Sequence, residues 1–270
     1  MIQSNNMGQD ALVPRARWRK EAELILYKSL ADLKAEAARG YLGILWWFLE
    51  PVLYMLVFYV ALTAIRHRSG DHIVPFLLCG LVSWKWFASS IGQGANSIAG
   101  SQGLIRQVYL PKYIFPCVSL LSNTIKFLTV FFILLLFLLV SGITPGWYWL
   151  TAPIILVIQL TLQLSLSSFL SVIVPFVPDI KPVIDNVMLL LFFVSGIMFD
   201  IERAPETVKP YLYANPMVTI ISSYRRVLLE NSSPNWLALC LILLASIAFL
   251  IIAFKLLNRY DRTFPKVMFK

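Results

Sequence analysis

Gly100-Ser-Gln-Gly-Leu-Ile-Arg-Gln-Val-Tyr-Leu-Pro-Lys-Tyr-Ile-Phe-Pro116 interrupts an apolar chain, carrying Arg106 and Lys112 without one acidic residue. Leu104, Ile105, Val108 and Tyr109 recur at i, i+1, i+4 and i+5, a spacing that gathers them on one face of a helix. Gln102, Arg106, Gln107 and Lys112 stay largely off that face. Gly103 opens the turn, and Pro111 ends it because proline lacks an amide donor and clashes with the preceding turn. The expectation is a short amphipathic helix within residues 101–113, at a membrane surface, with its apolar face turned outward.

On either side the chain is built for lipid. Hydrophobic residues make up 59% of the 270 and charged residues 14%, against about 25% charged in a soluble domain. A hydrocarbon core of ~30 Å needs roughly 20 apolar residues as helix. Six runs answer to that length: Leu45–Ile65, Ile73–Ile98, Tyr113–Val140, Trp147–Val174, Val183–Phe199 and Trp236–Leu257. The fold class is therefore an all-α membrane protein with six transmembrane helices. Its transmembrane domain covers residues 44–258.

The remaining segments are polar or mixed. Residues 1–17 read as a flexible basic N-terminus without the apolar core of a signal peptide. Residues 18–43 read as an amphipathic helix and turn, with Trp18, Ala22, Ile25, Ser29 and Leu33 at helical spacing, expected to lie along the membrane plane. Residues 200–234 read as a half-inserted, re-entrant hairpin of two short helices. In it Asn215 caps and Pro216 starts a helix whose apolar face holds Met217, Ile220, Tyr224 and Leu228. Residues 259–270 form a basic tail. Seven Lys/Arg precede Leu45 and five lie between Lys255 and Lys270, which assigns both ends to the cytoplasm. With six spans, segment 101–113 is then cytoplasmic and the hairpin periplasmic, although the hairpin carries four basic residues.

Several chemistries are excluded. No Gly-Lys pair occurs, so the chain has no phosphate-cradling loop of an ATPase. Cys79, Cys117 and Cys240 are scattered, and no metal-ligand cluster is spaced for binding. The net charge of +9 suits cytoplasmic loops and anionic headgroups, and no basic stripe points to nucleic acid. Away from the ends of the apolar runs the charged residues are Glu50, Lys85 and Lys126, a thin basis for an ion-coupled transporter. Lys85 and Lys126 are compatible both with pairing or snorkelling and with lining a polar channel. Trp84-Lys-Trp-Phe87 sits near mid-span and suits either an ordinary packed helix or a surface on which sugar rings stack.

Arg39-Gly-Tyr-Leu-Gly-Ile-Leu-Trp46 with Glu50-Pro51, Gly80-Leu-Val-Ser-Trp84, Asn96-Ser-Ile98 with Gly103–Pro116, and Asn215-Pro-Met217 with Tyr224-Arg225 follow one another in a recognisable order. Together they resemble the membrane subunit of polysaccharide-exporting ABC transporters: O-antigen permeases and their capsule and teichoic-acid relatives. The resemblance implies a homodimer in the bacterial inner membrane with no cofactor of its own. ATP and Mg would be bound by a separate cytoplasmic ATPase dimer, and the substrate would be a glycan on undecaprenyl pyrophosphate, O-antigen ahead of capsule or teichoic acid. Gly103, Leu104, Ile105, Arg106, Val108, Tyr109 and Lys112 would form the coupling helix on the ATPase. Arg39 and Tyr41 would stand at the lateral opening for the lipid pyrophosphate, although positive-inside topology explains Arg39 as well. Trp84, Lys85, Trp86, Phe87 and Lys126 would line the glycan channel. Met217, Ile220, Tyr224 and Arg225 would belong to the periplasmic gate. The rival classes are an ion-coupled lipid or drug transporter and a membrane-embedded transferase.

Overall fold

The computed structural model describes residues 14–39, scattered positions between 43 and 60, and residues 73–264 apart from Arg262. Nine α-helices are set out below from these residues: α1 Pro14–Arg39, α2 Ile73–Ala95, α3 Gln102–Gln107, α4 Ile114–Val140, α5 Ala152–Ile173, α6 Ile180–Val194, α7 Lys209–Tyr213, α8 Pro216–Leu228 and α9 Trp236–Tyr260. A 3-10 turn over Trp147–Thr151 extends α5 at its start. Proline stands in the first turn of α5, α7 and α8, where its missing amide is not needed.

Among the described residues four helices are long and apolar enough to cross a membrane: Ile73–Ala95, Ile114–Val140, Trp147–Ile173 and Trp236–Tyr260. Each matches a run read from the sequence. The chain is thus an all-helical, multi-pass membrane protein. The run Leu45–Ile65 lies largely outside the described residues. The fifth run is shorter than expected. Helix α6 has 15 residues, about 22 Å at 1.5 Å per residue, and ends before Gly196, whose φ of +69° is the left-handed geometry that stops helices. Alone it does not cover a core of ~30 Å.

Helix α5 places its polar side inward. Gln159, Gln163, Ser165, Ser167, Ser168 and Ser171 are all buried, and Gln159 donates from Nε2 to the Ser83 carbonyl of α2 at 2.9 Å. Small residues permit this approach, as membrane helix contacts generally require. A Cβ placed on Gly94 would lie 2.4 Å from that of Ser167, so α2 and α5 nearly touch there. On its other side α5 packs extensively against α9, which buries Leu239, Ser246, Ala253 and Leu257 along one narrow stripe. Most of the remaining α9 surface is apolar and exposed, as suits a helix facing lipid or another subunit.

Helix α1 is present but does not stand apart in the membrane plane. Tyr113 donates to Glu21 at 2.7 Å, Ser29 donates to the Val118 carbonyl at 3.2 Å, and Lys126 is ion-paired to Glu36. These contacts climb both helices in the same order. Helix α1 therefore runs parallel to α4 from Tyr113 to Lys126, over roughly 20 Å. Of the stripe read from sequence, Ser29 and Leu33 are buried and Ile25 half-buried, Ser29 being bonded to α4, while Ala22 is exposed.

Candidate functional site at the ends and flank of the bundle

Three places gather the residues singled out by sequence. The first is the turn around α3. The helix is six residues long and stops at Gln107, so its apolar residues do not share one face. Val108 is already extended, with φ −138° and ψ 136°. Pro111 favours an extended residue before it, which opposes continuing the helix to that point. Ile105 is 9% exposed and Leu104 half-buried, both turned into a cluster with Ile98, Phe115, Val172, Leu257 and Phe264. Gly103 and Arg106 are exposed, as are Val108 and Tyr109. The outward apolar surface is thus Val108 and Tyr109, and the expectation that Ile105 faces outward is corrected.

Lys112 closes this turn and is only 2% exposed. Its ammonium donates to the Leu110 carbonyl at 2.9 Å, lies 3.8 Å from the Asp261 carboxylate and sits 5.0 Å over the Tyr109 ring. Its backbone amide donates to Asp261 at 3.0 Å, and the Tyr109 hydroxyl donates to the same carboxylate. Asp261 escaped the sequence reading. The available signal was its isolation: it is the lone acid between Asn231 and Lys270.

The second place is the opposite end of α2. Arg225, on α8, is 5% exposed, and no carboxylate is bonded to it among the described residues. Its guanidinium donates to the carbonyls of Gly196 at 2.7 Å, Ile197 at 2.8 Å and Phe76 at 3.2 Å, and rests 3.4 Å from the Phe76 ring centre. A planar fork of donors suits two carbonyls just beyond the end of α6, where a helix terminus is partially negative, together with one in the first turn of α2. Gly80 makes the space, since a Cβ there would lie 2.8 Å from Arg225 Nη2. The sequence offered Gly80 and Arg225 as separate signatures; the fold brings them together.

Around this socket, Met217, Ile220 and Tyr224 are fully buried in the main core, so these expected gate residues hold α8 in place rather than present a surface. Asn215 caps α8 by accepting from the Met217 amide at 3.0 Å and donates to Ser195 at 2.8 Å. The other hairpin cations are matched by acids: Arg203 with Asp200 at 3.4 Å, Lys209 with Glu206 at 2.7 Å and Arg226 with Glu202 at 3.3 Å. Burial and the hydrogen bond to Glu202 push the Tyr213 phenol up from its usual range. The basic excess suggested by counting cations alone is therefore locally neutralised.

The third place is a pocket of about 170 Å³ on the flank, where α1 leans on α2 and α4. Lys85, Trp86, Gln93, Asn123, Lys126, Phe127 and Glu36 line it, with Trp46 at its edge. Trp86 stacks on Phe127 at 4.0 Å and 12°, and Asn123 donates to Gln93 at 3.0 Å. Trp84 and Phe87 point elsewhere. They are buried in the core, where Trp84 meets Phe192 edge-on, and Trp86 is equally buried, so an open channel surface at these three positions is corrected. Arg39 ends α1, while its side chain and Tyr41 lie outside the described residues. Among the described residues no group of three or more His, Cys, Asp or Glu is placed to hold a metal.

The described residues thus form a helical membrane bundle with close helix contacts, a buried cation at each end and a polar flank pocket. The chain belongs to the ABC-2 type transporter family, which it matches over residues 31–229. It is 29% identical to the O-antigen export system permease protein RfbA of Myxococcus xanthus over 79% of this chain and 85% of that protein. It is 23% identical to the Klebsiella pneumoniae protein of the same name over 91% of this chain and 95% of that one. The polysialic acid transport protein KpsM of Escherichia coli is 26% identical over 78% of this chain and 84% of its own.

Proposed function

We propose that this chain is the permease subunit of an ATP-driven exporter of bacterial surface polysaccharide, with O-antigen as the leading substrate. The carrying observation is family membership together with alignment to an O-antigen permease over 91% of the chain and 95% of that relative. Capsular polysaccharide is the second reading, supported by the similarity to a polysialic acid transport protein. In this reading the polymer travels on undecaprenyl pyrophosphate and the protein sits in the inner membrane. Two copies use the same surface twice to enclose the path. A separate ATPase dimer binds ATP and Mg.

The geometry gives each place a role. Val108 and Tyr109 form the exposed surface of the turn that meets the ATPase. Lys85 and Lys126 at the flank pocket suit an anionic head group, its charge met by ammonium, with Trp86 stacked on Phe127 as the pocket's buried backing. Closure of the ATPase on ATP would tilt the attached helices as bodies. Arg39 and Tyr41 remain the candidates for the lateral opening.

Deletion of the gene tests this reading. The expected result is loss of one surface polymer with its lipid-linked form retained inside, restored by the wild-type gene. Sorting the lost polymer into lipopolysaccharide or capsule decides between the two substrates. An unchanged cell surface overturns the proposal. Export that persists when the partner ATPase is inactivated selects the ion-coupled alternative.

A further inference from the structure

We propose that Asp261 and Phe264 together strap the turn 108–112 and fix its shape, with Asp261 as the positioning residue. The inference rests on the exporter reading for its consequence in transport. Its structural part stands without that reading.

Asp261 closes the C-terminal end of α9, a place where the helix dipole disfavours an anion. Its carboxylate turns away from its own helix and accepts from the Tyr109 hydroxyl and the Lys112 amide, with the Lys112 ammonium 3.8 Å away. Those partners lie about 150 positions back along the chain, as the separations of 149 and 152 residues record. They sit at both ends of a segment without helical hydrogen bonds of its own. One side chain thus holds a turn by its first exposed aromatic residue and its last amide.

Three residues on, Phe264 is fully buried. Its ring lies 5.5 Å from that of Phe176, beyond α5, and it shares a cluster with Ile105 of α3 and Leu257 of α9. The strap is therefore anchored at two points, one polar and one apolar. Between them they join the end of α9, the end of α5 and the turn. Tyr109 itself remains 70% exposed, so the ring is presented to a partner while its hydroxyl is held. A force on that ring is delivered to α9 through Asp261.

Two measurements test this, using the full chain with Asp261→Ala, Asp261→Glu and Tyr109→Phe. First, amide hydrogen exchange over residues 104–113 is followed on the purified chain. Asp261→Ala is expected to speed exchange at the Lys112 amide about ten-fold or more, while the α4 and α5 amides keep their protection. Unchanged exchange in that turn overturns the strap, and so does a general loss of protection, which would make Asp261 a packing residue only. Second, polymer export per ATP hydrolysed is measured with the ATPase partner in vesicles. Asp261→Ala is expected to lower this ratio about ten-fold, Tyr109→Phe by less, and Asp261→Glu to recover part of it. A ratio unchanged in Asp261→Ala overturns the role in coupling. A wild-type chain that neither binds an ATPase nor exports polymer defeats the exporter reading, while the exchange result still decides the strap.

Discussion

Lys112 and Arg225 are both buried cations, one at each end of α2, and they are held by different chemistry. Lys112 rests on one carbonyl, one carboxylate and one ring, while Arg225 rests on three carbonyls and a ring. Removing Arg225 takes the donors from the Gly196 and Ile197 carbonyls beyond α6. Removing the Lys112 ammonium leaves Asp261 its other two donors. The hairpin end is a fixed joint made by its cation, whereas the α3 end is held by Asp261 and does not depend on its cation.

That contrast can be broken by substitution. Arg225→Ala is expected to have the largest effect, destabilising by roughly 3–5 kcal/mol because the lost donors leave polar groups buried. Arg225→Lys is expected to recover little, since a point charge does not span three carbonyls. Thermal unfolding in detergent checks both, and an unchanged midpoint for the alanine variant would refute the fixed joint. Gly80→Ala follows at about 1–3 kcal/mol, as its methyl meets the guanidinium. If the same substitution made in an Arg225→Ala background cost as much as it does alone, the socket would not be its cause. Lys112→Met should be milder, about 1 kcal/mol or less, because an apolar stem of similar volume replaces a weakly paired charge. A loss as large as that of Arg225→Ala would erase the difference between the ends. Smallest is Glu36→Gln on the flank, where half-exposed Glu36 pairs with Lys126 and the expected change is about 0.2–1 kcal/mol. Comparing the salt dependence of the midpoint in wild type and Glu36→Gln sharpens that value, since the exposed Glu36–Lys126 pair weakens with salt.

Much of this fold was readable from run length alone. Tyr113–Val140, expected as a span, is helix Ile114–Val140, and Trp236–Leu257 is helix Trp236–Tyr260. Lipid demands a continuous apolar helix, so composition fixes such elements almost without context. Shorter elements escaped. Helix α6 stops because Gly196 turns left-handed beneath Arg225, and α3 stops because Val108 onward is drawn out toward Asp261. Both endings depend on partners far along the chain, where local periodicity carries no information. The α8 cap was legible because Asn215 and Met217 are neighbours. The Gly80–Arg225 socket was not, because no local pattern pairs a small residue with a distant large one.

Gly80 and Gly94 lie 14 residues apart on α2, about 21 Å along its axis. At both points there is no space for even a methyl group, against Arg225 at one and Ser167 at the other. Helix α2 is therefore in close contact with a neighbour at two separated points, against α8 at one and α5 at the other. In terms of mechanics it is a connecting rod: a displacement applied near Ala95 is expected to be felt at the Gly80 socket, with α5 and α8 drawn along.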